Sequence, residues 1–185
     1  MKKKIIYTII ITILILGSST LTKYEEINNL SIISNIEITY KSNKYKIIFQ
    51  EIVPIQNDSK IKYEYKYTSI TSSSINKCFK KMKDHSPNTI YLKKVQNIII
   101  NYNNYKRILK SLIKNNYKIN KNSNIVITKL STKDIFKINN NYKYIESILK
   151  DKNITLKEIK KKKKIKIPLL IITNHELLFK KYIYL

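Results

Sequence analysis

Glycine is almost missing from this chain: the one glycine among 185 residues is Gly17, so everything beyond it is built without the residue most tolerant of positive φ. Phosphate-cradling loops and dinucleotide fingerprints need glycine so that backbone amides can approach a ligand closely, and both are excluded. Tight turns with a left-handed residue fall to asparagine, the next most tolerant type. Cysteine is equally scarce. Cys78 stands alone, which excludes an intramolecular disulfide and a cysteine zinc cluster. His85 and His175 lie far apart without HExxH spacing, the aspartates Asp58, Asp84, Asp134 and Asp151 are scattered, and Glu25-Glu26 is the only adjacent carboxylate pair. No serine sits in a glycine-flanked elbow. No catalytic residue, metal site or cofactor is expected, and the chain does not read as an enzyme.

Alanine is absent and arginine nearly so. Of the 37 basic residues only Arg107 is arginine, while isoleucine and asparagine abound, a pattern expected of an AT-rich coding sequence. A net charge of +25 usually points to nucleic acid or an anionic membrane. Base and phosphate readout favours the planar fork of arginine, so an almost pure lysine excess argues against specific nucleic-acid binding. A solvated lysine surface is the expectation, with no nucleic acid as partner. The hydrophobic content of 43% is that of a globular chain, and the length allows one domain plus a tail.

What is present begins with Lys2, Lys3 and Lys4, followed by the apolar run Ile5 to Leu16 and then Gly17-Ser18-Ser19-Thr20. A positive start, an apolar run and small residues beyond it read as a secretory signal. The alternative is an uncleaved anchor extended through Leu21, short of the roughly 20 apolar residues a membrane span requires. No cysteine follows the run, so no lipid attachment site is expected. Residues 1–20 are thus assigned to a signal peptide or membrane anchor, 21–156 to the main domain, and 157–185 to a basic linker and the start of a truncated second region.

The body predicts an α/β (α+β) fold, a mixed β-sheet flanked by helices. Leu30 to Tyr40 alternates as a strand, Lys41 to Lys44 is a turn with Asn43 as its left-handed residue, and Tyr45 to Val53 alternates again up to Pro54, completing a hairpin. Ile61 to Tyr67 is a third strand with Ile61, Tyr63, Tyr65 and Tyr67 on one face, a tyrosine ladder facing a core or a partner. Thr71 to Ser74 offer caps for a helix to about Asp84, with Ile75, Cys78, Phe79 and Met82 at helical spacing, so Cys78 reads as a core residue rather than a nucleophile. Ser86-Pro87 breaks that helix. Tyr91 to Ile100 then reads as a central strand covered on both faces. Asn103 or Asn104 caps a helix to about Asn115, burying Tyr105, Ile108, Leu109, Leu112 and Ile113. Asn124 to Leu130 is a strand, Ser131-Thr132 caps a short helix through Asp134, Ile135 and Phe136, and Tyr142 to Leu149 is a further helix. The charge run Lys157 to Lys164 is a solvated linker or helix face, able to gain about 1 kcal/mol per basic residue near anionic lipid. Two short apolar segments follow, Ile165 to Thr173 and Leu177 to Leu185.

Three of these stretches carry a resemblance. Glu26-Ile27-Asn28-Asn29-Leu30-Ser31-Ile32-Ile33-Ser34 with the strand ending at Val53-Pro54, then Ser86-Pro87 through Tyr91 with Val95-Gln96 and the isoleucines, then Asn124 to Ile135 with Ser131-Thr132-Lys133-Asp134-Ile135, resemble in order and spacing the N-terminal domain of the Ger(x)C spore germination proteins. These are the C subunits of GerA-type nutrient germinant receptors. Ile167-Pro168-Leu169-Leu170 and Leu178-Phe179-Lys180-Lys181 are similar to later elements of the family. The residues that keep the pattern are Glu26, Asn28, Leu30, Ser86, Pro87, Tyr91, Gln96 and Asp134. The chain departs from it where the lipid-bearing cysteine is expected near Leu21, where Asn35 and Glu37 replace glycines in the first strand, and where Lys93-Lys94 replaces Gly-His.

The resemblance implies a non-enzymatic accessory subunit of a membrane-bound germinant receptor, exported to the outer face of the spore inner membrane, with integral membrane subunits and the membrane surface as partners. The competing reading is a secreted basic protein that binds anionic lipid or polymer surfaces. Two lysines inside a central strand are costly to bury, so Lys93 and Lys94 are expected at the exposed end of the sheet where the strand begins.

Overall fold

The turn at Ser42-Asn43 closes a hairpin without glycine. Both residues take positive φ, 50° and 58°, the pair of left-handed conformations demanded by a two-residue type I′ turn, whose twist matches the flanking strands. Asn43 is the residue expected there, and Ser42 joins it. Around the turn β1 (Leu30–Lys41) and β2 (Lys44–Asn57) pair antiparallel from Lys41↔Lys44 back to Ile32↔Ile52. In this computed structural model the described residues are 29–57, 60–114, 117–129, 145, 148–149, 153–161, 165–173 and 176–184. The apolar N-terminal segment, the short helix expected from the Ser131-Thr132 cap through Phe136 and most of Tyr142 to Leu149 lie outside them.

β3 (Lys60–Ser72) pairs antiparallel with β2 along its length and continues well past Tyr67. Pro54 does not end the second strand as expected. It stands opposite Tyr63, beyond Ile52 where β1 no longer accompanies β2, and a residue without an N–H is tolerated where one side of a strand is unpaired. Of the two alternatives for the tyrosine ladder, a core or a partner, the core is ruled out: Tyr63, Tyr65 and Tyr67 are 62%, 44% and 44% exposed.

The helix α1 (Ile75–His85) forms where its caps and apolar spacing place it. Ser74 Oγ accepts the Lys77 N–H at 3.2 Å, and Ile75, Cys78, Phe79 and Met82 are buried. Ser86 takes extended geometry ahead of Pro87 and ends the helix. Beyond it the single strand expected from Tyr91 to Ile100 divides. β4 (Thr89–Tyr91) pairs with β1, the chain turns at Lys93-Lys94, and β5 (Asn97–Asn101) starts afresh. Leu92 and Val95 are buried on either side of the turn while both lysines are exposed, an arrangement a continuous central strand could not achieve without burying one ammonium group. Lys93 and Lys94 are exposed as expected, but in a turn rather than a strand.

A 3₁₀ turn, Tyr102–Asn104, leads into α2 (Tyr105–Ile113). This helix buries Ile108, Leu109 and Leu112, but Ile113 is 36% exposed, so the apolar stripe is narrower than expected and the helix stops sooner. β6 (Asn124–Thr128) lies parallel to β5, β7 (Lys166–Thr173) parallel to β6, and β8 (Glu176–Tyr184) antiparallel to β7. Among the described residues the result is a mixed eight-stranded sheet in the order β3-β2-β1-β5-β6-β7-β8, with β4 beside β1. Its centre is parallel and both edges are antiparallel hairpins, and the fold is α+β.

Part of the basic run is helical. In α3 (Leu156–Lys161) the Thr155 N–H and hydroxyl both donate to Glu158 Oε2 at 3.0 Å, and the Glu158 N–H donates back to Thr155 Oγ1 at 3.3 Å. This reciprocal capping box is spelled Thr-x-x-Glu in the sequence. One face of the sheet carries Ile36, Ile38, Ile98, Ile100, Ile125 and Ile127 in a core shared with the apolar sides of α1, α2 and α3. On the other face a smaller cluster joins Ile99, Val126 and Leu170 to Ile145 and Leu149. The chain divides into the units Met1–Leu30 and Ser31–Leu185, and the whole of this core belongs to the second.

Candidate functional site

The parallel strands β1, β5 and β6 are tied together at their amino ends. A β-bulge between Ile33 and Asn35 inserts Ser34 as an extra residue and brings two consecutive polar side chains to the same partner. Ser34 Oγ donates to Gln50 Oε1 at 2.8 Å, and Asn35 Nδ2 donates to the same oxygen at 2.6 Å. The Ser34 carbonyl accepts the Gln96 N–H at 2.7 Å, and the Gln96 carbonyl accepts the Asn124 N–H at 2.8 Å. Ser31 and Ser86 hydroxyls meet at 3.1 Å, and Ser86 Oγ also accepts the Asn88 N–H at 3.3 Å. The stretches around Ser31, Ser86 and Asn124 thus converge on one edge of the fold.

From this junction a row of side-chain amides crosses the sheet. The register sets Tyr67, Gln50, Asn35, Asn97 and Asn124 side by side on β3, β2, β1, β5 and β6. Gln50 Nε2 donates to the Tyr67 hydroxyl at 3.0 Å, Asn35 Nδ2 to Gln50 Oε1, Asn97 Nδ2 to Asn35 Oδ1 at 2.9 Å, and Asn124 Nδ2 to Asn97 Oδ1 at 3.3 Å. Asn153 Nδ2 closes the row on Asn124 Oδ1 at 3.4 Å. Gln50, Asn35 and Asn97 are each 1% exposed or less. A carboxamide carries both a donor and an acceptor, so a row running in one direction satisfies each member while fixing the register, where an unpartnered buried amide would be costly. Glu37 is buried on the same face, opposite Ile48 and Ile99.

The carboxyl ends of the same strands are open. A groove of about 670 Å³ lies where β1 leads away to β2 on one side and β5 leads away to α2 on the other, the switch point at which sheets with parallel strands tend to bind ligands. The end of β1 and its turn supply Thr39, Tyr40, Lys41, Ser42 and Asn43, and β2 supplies Lys46. Asn101, Asn103 and Asn104 form the opposite wall. These walls are braced. Asn104, expected as a helix cap, makes no side-chain cap bond and instead donates Nδ2 to the Tyr40 carbonyl at 3.0 Å. Tyr40 donates its hydroxyl to Asn43 Oδ1 at 3.1 Å, and Asn101 Oδ1 accepts the Asn103 N–H at 3.0 Å. The Arg107 guanidinium stands 4.2 Å from the centre of the Tyr40 ring, a cation–π contact that fixes one wall.

Among the described residues the groove offers amides, hydroxyls and lysine ammonium groups, with no Asp or Glu in its lining. Among them, too, no group of three His, Cys, Asp or Glu could hold a metal ion. Cys78 is fully buried, and burial pushes its thiol up to about 11, which suits a core residue and not a nucleophile. His85 is exposed, with Nδ1 2.7 Å from the Lys81 carbonyl.

The residues singled out by sequence fall into two groups. Ser86 and Gln96 take part in the junction, Tyr91 ends β4 half-buried, Pro87 lies exposed at the helix stop, and Leu30 opens β1. Glu26, Asn28 and Asp134 lie outside the described residues. The amide row and the groove escaped sequence reasoning. The signal for the row was present in Asn35 and Asn97, polar residues set into otherwise apolar strands.

Compared with known families, residues 23–166 match the one described as the spore germination protein N-terminal domain. No curated protein and no solved structure matches the chain.

Proposed function

This chain belongs to the spore germination protein family, whose N-terminal domain covers residues 23–166, and on that premise we propose that it acts as a non-enzymatic accessory subunit of a membrane-bound nutrient germinant receptor. The observation that carries this reading is the match itself, which takes in most of the sheet, both helices α1 and α2, and the junction residues Ser86 and Gln96. In this role the chain is exported to the outer face of the spore inner membrane, beside integral membrane subunits, with its N-terminal apolar segment serving as signal peptide or anchor. Among the described residues no helix is long and apolar enough to cross a membrane. Deleting the chain should abolish germination triggered by nutrients while sparing germination by direct chemical triggers. Spores that lack it and respond normally to every nutrient would end the receptor reading.

The exposed lysines Lys77, Lys80, Lys81 and Lys83 on α1 favour a second reading, a secreted basic protein that coats anionic lipid or polymer. It predicts binding of the chain to anionic vesicles that falls steeply with salt. Weak binding that is insensitive to salt would remove it.

A further inference from the structure

We propose that the groove at the carboxyl ends of β1 and β5 is a binding site for a small polyhydroxylated molecule bearing a phosphate group, of about sugar-phosphate size. Its volume of about 670 Å³ falls within the roughly 300–1,000 Å³ typical of small-molecule sites. The register sets Lys46 directly opposite Thr39. Lys41 lies two residues beyond Thr39 on the same strand, so the three side chains leave on one face. Two lysines and no lining carboxylate give the groove a positive field suited to an anion. Lysine acts as a point charge suited to phosphate, whereas a bidentate carboxylate grip favours arginine, and Arg107 is engaged against the Tyr40 ring. Asn101 and Asn103 on the opposite wall add donors and acceptors for hydroxyl groups. Asn104 Nδ2 donates to the Tyr40 carbonyl, which ties the end of β1 to the opposite wall before a ligand arrives, so little ordering of the backbone is needed on binding. The inference stands on the groove alone and does not depend on a role in germination.

The test uses the full chain labelled with ¹⁵N and titrated at low ionic strength with glucose 6-phosphate, glucose and inorganic phosphate as separate probes. The sugar phosphate is expected to bind saturably, moving the amide signals of Asn43, Asn101 and Asn103. Inorganic phosphate should bind the same residues more weakly, and glucose more weakly still. Replacing both lysines, Lys41→Ala with Lys46→Ala, should weaken sugar-phosphate binding about tenfold or more. The control pair Lys77→Ala with Lys80→Ala, on the outer side of α1, should leave it unchanged. No saturable binding overturns the proposal, as does binding that weakens equally in the control pair, which would mark general attraction to a basic surface. Because Lys41 and Lys46 are exposed, their replacement should leave the thermal transition in place, and that measurement separates lost binding from lost folding.

Discussion

At the amino ends of β1, β5 and β6 the chain is tied: the Ser34, Gln96 and Asn124 backbones are bonded in series, and Ser31 meets Ser86 across the helix stop. At the carboxyl ends of β1 and β5 the strands part around a groove with lysines on its rim. Of the five described residues by which this chain resembles its family, two, Ser86 and Gln96, take part in the junction, while Leu30, Pro87 and Tyr91 lie beside it. Ser86 enters the junction through its hydroxyl and Gln96 through its backbone. The groove is made instead from a glycine-free turn and an asparagine-rich connection, neither of which carries the family pattern.

Substitutions can break this contrast. The largest effect is expected from Asn97→Ala, which removes the middle of the amide row and leaves Asn35 Oδ1 and Asn124 Nδ2 short of a partner. The cost should be about 3 kcal/mol in a denaturant titration. A loss below about 1 kcal/mol would mean that the row does not bind the strands. Ser86→Ala removes the hydroxyl shared by Ser31 and the Asn88 N–H, and should cost about 1 kcal/mol by the same measurement. At the other end, Asn103→Ala is expected to change stability by less than about 0.5 kcal/mol, since its side chain is exposed. Lys93→Ala in the exposed turn should do as little.

Cys78 supplies a chemical reporter for the same comparison. Its thiol, pushed up to about 11 by burial against a free value of 9.0, should resist alkylation at pH 8.5 in the folded chain and react when the chain opens. Labelling should quicken roughly fivefold for each kcal/mol lost, strongly in Asn97→Ala and hardly at all in Asn103→Ala. The sign with pH is fixed. The unfolded thiol ionises near pH 9 while the folded one keeps its proton, so this group's contribution to stability is present below pH 9 and is lost as pH rises towards 11. A native chain alkylated as fast as an unfolded one at pH 8.5 would place Cys78 outside the core.

Local features were legible in the sequence because local chemistry decides them. The Asn43 turn, the Ser74 cap and the Ile75, Cys78, Phe79, Met82 stripe each follow from a few adjacent residues. The Thr155–Glu158 capping box was equally local, yet the surrounding lysines masked it. The division of Tyr91 to Ile100 was hidden because β-branched and aromatic residues continue across the break, and only the burial of Leu92 and Val95 around an exposed lysine pair decides it. The amide row depends on register between strands far apart in sequence, Asn35 against Asn97 and Asn97 against Asn124, which alternation within one strand does not specify. The groove joins residues 39–46 to 101–104 through topology alone.

Native-state hydrogen exchange, residue by residue, tests the contrast between the two ends most directly. The Gln96 and Asn124 amides, bonded at 2.7 and 2.8 Å, should exchange only when the whole domain unfolds, and should slow by the same factor in any condition that stabilises it. The amides of Ser42 and Asn43 at the groove, both exposed, should exchange at least about a thousandfold faster. If Gln96 and Asn124 exchange as fast as Asn43, the amino ends are not the tied end of the sheet, and the division of labour between junction and groove is wrong.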